Sequence, residues 1–313
     1  MIIKIIKNRS DIGAGTRGAD MGIDAIEIAA INQQSDYFHQ HLFQDVETHN
    51  ETIYNKTNHD FAKRIEYVVE QCERVASAVK ENIKAGYFPI VLSGDHSSAL
   101  GTISGIKAAF PKDQLGVIWI DAHADIHSPY TSPSGNIHGM PLAAAMGIDN
   151  LACKINEPDA STIGNWHKMK NIELAGPKIH AHDLIYFGVR DYEAAEATVI
   201  QDNHIHIVKV EMLRQKGLQL CLQQAIAQLS NCEHIYISFD VDSMDCDQIS
   251  YGTGTPVPNG FMPSEVMQII DGFLATQKVV CIEFTEINPL LDNKGNKMAE
   301  TAFEVLDHIS NKI

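Results

Sequence analysis

Three side chains that can bind metal ions follow one apolar run at alternate positions. The run at residues 117–120 ends at Asp121, and Asp121, His123 and Asp125 then alternate with alanines. In an extended chain, residues at i, i+2 and i+4 point to the same side. Solvated acids at a strand end are the alternative, but aspartate is a poor strand former, and two aspartates flanking a histidine favour a metal site. The spacing therefore predicts three ligands at the mouth of a buried strand.

Two further apolar runs end in side chains of the same kind. Residues 88–92 lead into Gly-Asp-His-Ser, which contains His96, and residues 235–239 lead into Asp240 and Asp242. Structural zinc sites favour four thiolate or imidazole ligands, whereas a carboxylate-rich set of six suits two harder divalent ions, with manganese the best candidate. Two such ions can share a water and lower its pKa, which predicts metal-assisted hydrolysis. The candidate ligands are His96, Asp121, His123, Asp125, Asp240 and Asp242.

These ligands require a scaffold that brings the ends of distant strands together. At least five apolar runs alternate with helical segments, which predicts an α/β fold with a parallel sheet covered by helices on both faces. Ligand sites in such sheets lie beyond the carboxyl ends of the strands. No linker or internal repeat divides the chain, so we predict one domain over residues 1–313.

The helical period and the stop signals locate the main helices. A helix over residues 60–85 is predicted to be capped by Asn58 or Asp60. Residues 149–180 are predicted to be irregular, and residues 204–213 to form a short strand. Further helices are predicted over residues 98–110, 141–146, 217–229, 263–275 and 299–310.

The composition restricts the partners. The formal net charge of −16 argues against nucleic acid or an anionic membrane surface, because both need a basic face. An acidic chain is compatible with a small cationic substrate. The six cysteines are scattered, several within apolar runs, which is typical of reduced thiols. No run approaches the ~20 apolar residues of a membrane span, so a cytoplasmic location is predicted.

Six short motifs resemble those of the ureohydrolase family: GDHS, DAHADIH, SGNIHG, SFDVDSMD, TGTP and EINP. The motifs lie between residues 94 and 289, and the resemblance as a whole runs over about residues 13–289. The motif SGNIHG resembles the arginase branch of that family. The resemblance implies a three-layer α/β/α fold with a mostly parallel sheet of about eight strands. It also implies two Mn²⁺ ions per subunit (other divalent ions are possible), hydrolysis of a guanidino group to urea, and a homo-oligomer, either a trimer or a hexamer.

The resemblance also assigns roles to individual residues, with the six candidates above as the metal ligands. Asp125 would orient a metal-bridging hydroxide, Glu286 would hold the substrate guanidinium, and His138 would transfer protons. In L-arginine hydrolysis, the hydroxide attacks the guanidinium carbon, and urea and L-ornithine leave. The resemblance places Ser134 and Asn136 near the substrate α-carboxylate, with Glu196 near the α-amino group and Thr255 lining the site.

Two positions in the predicted recognition shell depart from the family pattern. Arginases usually carry asparagine at the position of His127 and aspartate at that of Glu193. Urea formation is therefore a firmer expectation than L-arginine as the substrate. The alternatives are another ureohydrolase (agmatinase, guanidinobutyrase or formimidoylglutamase) and, more distantly, a non-catalytic metal-binding scaffold.

Overall fold

A computed structural model describes residues 1–56 and 59–313, and over these ranges the chain forms eight β-strands and eleven α-helices. The strands are β1 Ile2–Asn8, β2 Leu42–Asp45, β3 Tyr87–Ser93, β4 Leu115–Ile120, β5 Leu184–Phe187, β6 His206–Val208, β7 His234–Asp240 and β8 Val279–Thr285. The helices are α1 Gly22–Asn32, α2 Tyr37–Gln40, α3 Ile65–Lys84, α4 Ala99–Ala109, α5 Pro141–Met146, α6 Ala160–Lys170, α7 Ala194–Asp202, α8 Val210–Lys216, α9 Leu218–Gln228, α10 Pro263–Leu274 and α11 Lys297–Ser310.

The eight strands form one parallel sheet in the order β2-β1-β3-β8-β7-β4-β5-β6. Successive residues of a strand face opposite sides. In β4, Ile118 and Ile120 therefore enter one apolar core, and Val117 and Trp119 enter the other. Helices α1, α10 and α11 pack in the first core, and α3, α4 and α5 pack in the second. The predicted three-layer α/β/α fold is confirmed.

The predicted helix over residues 60–85 begins later than expected, at Ile65. The preceding residue, Arg64, has a φ of 58°, which is left-handed backbone that a helix cannot continue through. Asp60 lies in the turn before this residue and therefore does not cap the helix, and Asn58 lies outside the described residues. The turn packs tightly against the loop at Gly135, where a Cβ atom would overlap the Asp60 carbonyl.

Two other local predictions differ in part from the structure. Residues 149–180 contain α6, whose Asp159 cap accepts a hydrogen bond from the Thr162 amide at 2.7 Å. Only three residues of α6 are buried, so its apolar period is weak. In residues 204–213 the strand stops at Val208, and α8 begins at Val210. The predictions of α4, α5, α9, α10 and α11 are confirmed to within two residues. None of the helices in the described ranges has the length and apolar character needed to cross a membrane.

Candidate metal centre and active site

The predicted site residues follow the carboxyl ends of five strands that are neighbours in the sheet: β3, β8, β7, β4 and β5. Loops at this edge are the usual position of ligand sites in parallel sheets. All the predicted site residues except His96 and Asp121 line one pocket of about 310 Å³. His96 and Asp121 lie deeper and are buried. The fold therefore collects residues from distant parts of the sequence into one cleft.

The segment after β4 is not extended, contrary to the expectation from its alternating pattern. The strand ends at Ile120, the chain bends, and Asp125 has a left-handed φ of 49°. The His123 amide donates to Oδ1 of Asp121 at 2.7 Å, which holds the bend. The three side chains still converge, because the bend and their contacts replace the expected strand geometry.

The first cluster is centred on the His96 ring. Its Nδ1 lies 3.0 Å from Oδ2 of Asp121, 3.0 Å from Oδ2 of Asp125 and 3.1 Å from Oδ2 of Asp240. The ring stacks on Trp119 with centroids 4.0 Å apart and planes within 6°. Its other nitrogen, Nε2, lies 2.7 Å from Oγ of Ser238. The stacking contact therefore fixes the plane of the His96 ring, and the Ser238 contact fixes the rotation of the ring within that plane.

The second cluster lies around His123 and shares one carboxylate with the first. Nδ1 of His123 is 2.9 Å from Oδ2 of Asp242 and 3.6 Å from Oδ1 of Asp121. Asp121 thus directs one oxygen toward each cluster, the arrangement of a carboxylate that bridges two cations. Thr255 donates a hydrogen bond to Oδ2 of Asp242 at 3.2 Å.

These residues fit two divalent cations. Nδ1 of His96 and Oδ2 of Asp121 are buried and, among the described residues, have no hydrogen-bond partner, although they lie 3.0 Å apart. Two lone-pair donors directed at one point are suited to a cation. Burial and the charges of neighbouring carboxylates raise the pKa values of Asp240 and Asp242, and burial with the charge of Asp121 raises the pKa of Asp125 to about 6. Positive charge at this point would offset that repulsion, and an oxygen-rich donor set suits hard or borderline divalent ions.

A histidine–carboxylate pair lies beside the two clusters. Nδ1 of His138 is 3.1 Å from Oε1 of Glu286, and the same oxygen accepts a hydrogen bond from the His96 amide at 2.9 Å. Burial disfavours the charged imidazole, but the hydrogen bond and charge of Glu286 outweigh it and raise the pKa of His138 to about 9. In turn, His138 lowers the pKa of Glu286 against the opposing effect of burial. The pair is suited to proton transfer next to a bound cation.

This pair makes a testable contribution to the stability of the metal-free protein. Because the folded-state pKa of His138 lies above its ordinary value, its stabilisation is fully present below about pH 6.5 and is lost as the pH rises through 9. A pKa shift of this size corresponds to a contribution of about 3 kcal/mol to the free energy of unfolding. We expect the difference in free energy of unfolding between wild type and His138→Gln to be constant near pH 6 and to shrink above pH 7. Urea unfolding of chelator-treated protein measures it, and a difference that does not change from pH 6 to 9.5 would contradict the assignment.

The two residues that depart from the family pattern contact each other at the outer wall of the pocket. Nε2 of His127 lies 3.0 Å from Oε2 of Glu193 and 3.5 Å from Oε2 of Glu196. The hydrogen bond from His127 lowers the pKa of Glu193 to about 2. Glu196 also accepts from the Ile126 and Glu193 amides, which fixes it at the start of α7. The two departures from the family pattern therefore contact each other in the folded chain, although they are far apart in the sequence.

The other wall is formed by the loop before α5. Ser134 accepts a hydrogen bond from the Asn136 amide at 3.2 Å, and Oδ1 of Asn136 accepts one from Nζ of Lys63 at 3.3 Å. The backbone amide of Lys63 also donates to Gly135 at 2.7 Å. Sequence reasoning missed Lys63, which lies far away in sequence and in no motif. It also missed Ser238, although a polar residue inside the apolar run before Asp240 was a usable signal.

Comparison with known proteins agrees with this geometry. The family model described as the arginase family matches residues 3–310. The chain is 33% identical to the arginase of Bacillus subtilis (strain 168), covering 99% of this chain and 98% of that one. It belongs to the arginase family. The predicted family is confirmed, and so is the prediction that the chain is a hydrolase.

Solved structures of the family confirm the fold. The native arginase structure from Bacillus caldovelox aligns with a TM-score of 0.84 at 31% identity, covering 98% of this chain and 97% of that chain. The formimidoylglutamase from Bacillus subtilis aligns with a TM-score of 0.74 at 18% identity, which shows the common fold alone.

Proposed function

We propose that this protein hydrolyses L-arginine to urea and L-ornithine and that it uses two Mn²⁺ ions. The observation that carries the proposal is the position of Asp121, with one oxygen in each of two His–carboxylate clusters, beside the His138–Glu286 pair. Curated relatives at about a third identity over nearly the full length carry the name arginase.

The two clusters would hold the two ions through His96, Asp121, His123, Asp125, Asp240 and Asp242. When bound, the ions lower the pKa of a shared water and so supply a nucleophile at neutral pH. We propose manganese because an oxygen-rich donor set suits hard or borderline divalent ions.

The remaining groups bind the substrate and move protons. A carboxylate that is already ionised and buried, such as Glu286, matches a planar guanidinium. Asp125 accepts a hydrogen bond from the attacking water, whose oxygen adds to the guanidinium carbon. The carbon–nitrogen bond to the ornithine side then breaks, and His138 donates a proton to the leaving amine. Urea and L-ornithine account for all the atoms of L-arginine and water.

We propose that the outer walls recognise the amino-acid end of the substrate. Glu193, whose pKa is lowered, supplies negative charge for the α-amino group, and Glu196, whose pKa is raised by burial and by Glu193, supplies a hydrogen-bonding oxygen beside it. Ser134 and Asn136 supply donors for the α-carboxylate. Because His127 is bonded to Glu193, it orients that carboxylate and keeps it ionised.

The contact between His127 and Glu193 predicts that the losses in kcat/KM caused by substituting these two residues are not additive. We expect His127→Ala and Glu193→Ala each to lower kcat/KM for L-arginine about tenfold, ~1.4 kcal/mol, since each removes one partner of a charge-assisted hydrogen bond. The double variant should lose little more than either single one, because residues in contact couple. Steady-state urea release measures the cycle, and fully additive losses would show that the two side chains act independently.

A substrate panel tests the proposal as a whole. Purified protein loaded with Mn²⁺ is assayed for urea release from L-arginine, agmatine and 4-guanidinobutyrate, and for formamide release from formimidoylglutamate. L-Arginine should have the highest kcat/KM. A preference for another compound would reassign the protein within the family, and inactivity on all four, despite bound metal, would support the non-catalytic alternative.

We also propose that the chain is one domain over residues 1–313 and assembles as a trimer or hexamer. Strands from near both ends of the chain belong to one sheet, which supports the single domain. Light scattering after size-exclusion chromatography measures the assembly. The predicted cytoplasmic location stays a prediction, supported by the six free cysteines.

A further inference from the structure

The turn before α3 brings a lysine to the wall of the pocket. The backbone amide of Lys63 donates a hydrogen bond to the Gly135 carbonyl at 2.7 Å, and Nζ of Lys63 lies 3.3 Å from Oδ1 of Asn136. Asn136 lines the pocket, so the Lys63 ammonium group is in hydrogen-bonding contact with a wall residue. Among the described residues, no carboxylate forms an ion pair with this ammonium group. Its charge is therefore not neutralised by a neighbouring side chain.

Lys63 fixes the orientation of the Asn136 amide. An ammonium group can only donate, so the Asn136 atom that faces it is the carbonyl oxygen, and the NH₂ group lies on the other side. There, Nδ2 of Asn136 takes the space that a side chain at residue 15 would need, because a Cβ atom on Gly15 would lie 2.4 Å from it. Within the described ranges, this NH₂ group donates to no other residue. Its N–H groups are therefore available to an acceptor in the pocket.

The charge of the pocket makes a cation at this wall useful. Seven carboxylates line the pocket, and among the described lining residues there is no lysine or arginine. Ions bound in the two clusters would offset the carboxylates around them, but Glu193 belongs to the outer wall. A ligand that carries a carboxylate meets repulsion there unless a positive charge lies nearby. Lys63 supplies such a charge next to the available donors of Asn136.

We propose that Lys63 is a specificity-determining residue that selects substrates with a carboxylate at the end remote from the guanidino group. It holds the Asn136 amide with its NH₂ group available to that carboxylate, and its charge attracts the carboxylate into an acidic pocket. The inference rests on the proposed hydrolysis of L-arginine and extends it to a residue outside every motif of the sequence. Because Lys63 acts through Asn136 and through its charge, it is a positioning residue and not a catalytic one.

A compound that lacks the carboxylate tests the proposal. Agmatine is L-arginine without its α-carboxylate, and its Ki as a competitor of L-arginine is measurable whether or not it is hydrolysed. In the Mn²⁺-loaded protein, we expect Lys63→Met to raise KM for L-arginine and Ki for L-ornithine about tenfold, with kcat within about threefold of the wild type. The Ki for agmatine should stay within about twofold, because agmatine has no carboxylate for Lys63 to attract.

Three further variants separate the charge of Lys63 from its shape. Lys63→Arg keeps the charge and should have a KM for L-arginine within about threefold of the wild type. Lys63→Gln keeps a hydrogen-bond donor without the charge and should raise this KM at least about fivefold, which also tests the proposal if Lys63→Met does not fold. Lys112→Met is the matched control, since Lys112 is exposed in the turn before β4, at the opposite edge of the sheet. It should leave all three constants unchanged, and thermal unfolding checks that each variant is folded.

The outcomes separate this inference from the proposed function. Absence of urea release from L-arginine by the wild type would overturn the proposed function itself. A wild type that hydrolyses L-arginine, with a KM that rises less than about threefold in folded Lys63→Met and Lys63→Gln, would overturn the role of Lys63 alone. An equal rise in the Ki for agmatine would also overturn it, because the substitution would then have changed the shape of the wall and not the recognition of a carboxylate.

Discussion

Substitution Asp121→Asn is expected to lower kcat for L-arginine by about 10³-fold or more, equivalent to ~4 kcal/mol of transition-state stabilisation. The physical reason is that Asp121 is the carboxylate common to both clusters, with Oδ2 beside His96 and Oδ1 beside His123. Asparagine keeps the shape but removes the negative charge and replaces one oxygen with an NH₂ group, which cannot bind a cation. Both sites should therefore weaken together, and elemental analysis of dialysed protein should find less than about one metal ion per chain.

Asp202→Asn is the control for this substitution. Asp202 is exposed at the end of α7, so the same chemical change there should leave the metal content and kcat unaltered. An Asp121→Asn protein that retains two ions and more than a tenth of the wild-type kcat would contradict the bridging role. Selective loss of one ion would assign Asp121 to a single cluster.

Substitution His138→Asn is expected to lower kcat by about 10²- to 10⁴-fold while leaving Mn²⁺ content unchanged, because general acid–base groups contribute in this range. His138 lines the pocket and pairs with Glu286 but belongs to neither metal cluster. KM should change by less than about threefold, since the loss falls on a proton transfer in the transition state.

Added imidazole gives a sharper test of His138. A small cavity next to Glu286 should admit imidazole in the variant, and part of the lost kcat should return in proportion to its concentration. The wild type, in which the position is filled, should not respond. A kcat that falls less than about threefold, or a parallel loss of metal, would show that His138 acts on structure rather than on protons.

The sequence by itself determined which residues could do the chemistry and at which edge they would meet. Apolar runs that stop at Asp121, at Asp240 and just before His96 identify strand ends, because a strand buried on both faces has to be apolar and a ligand has to be polar. Parallel strands share one carboxyl edge, so the convergence of the ligands followed from topology class alone. Local signals also located most helices, since their period and stops are properties of neighbouring residues.

Only the tertiary structure decided which of these residues touch. The placement of one oxygen of Asp121 in each cluster depends on a bend and on the left-handed Asp125, neither of which alternation predicts. The contact of His127 with Glu193 likewise joins residues from loops after β4 and β5. Hydrogen bonds and ion pairs need atoms within a few ångströms, and strand order and loop packing, not sequence spacing, set those distances.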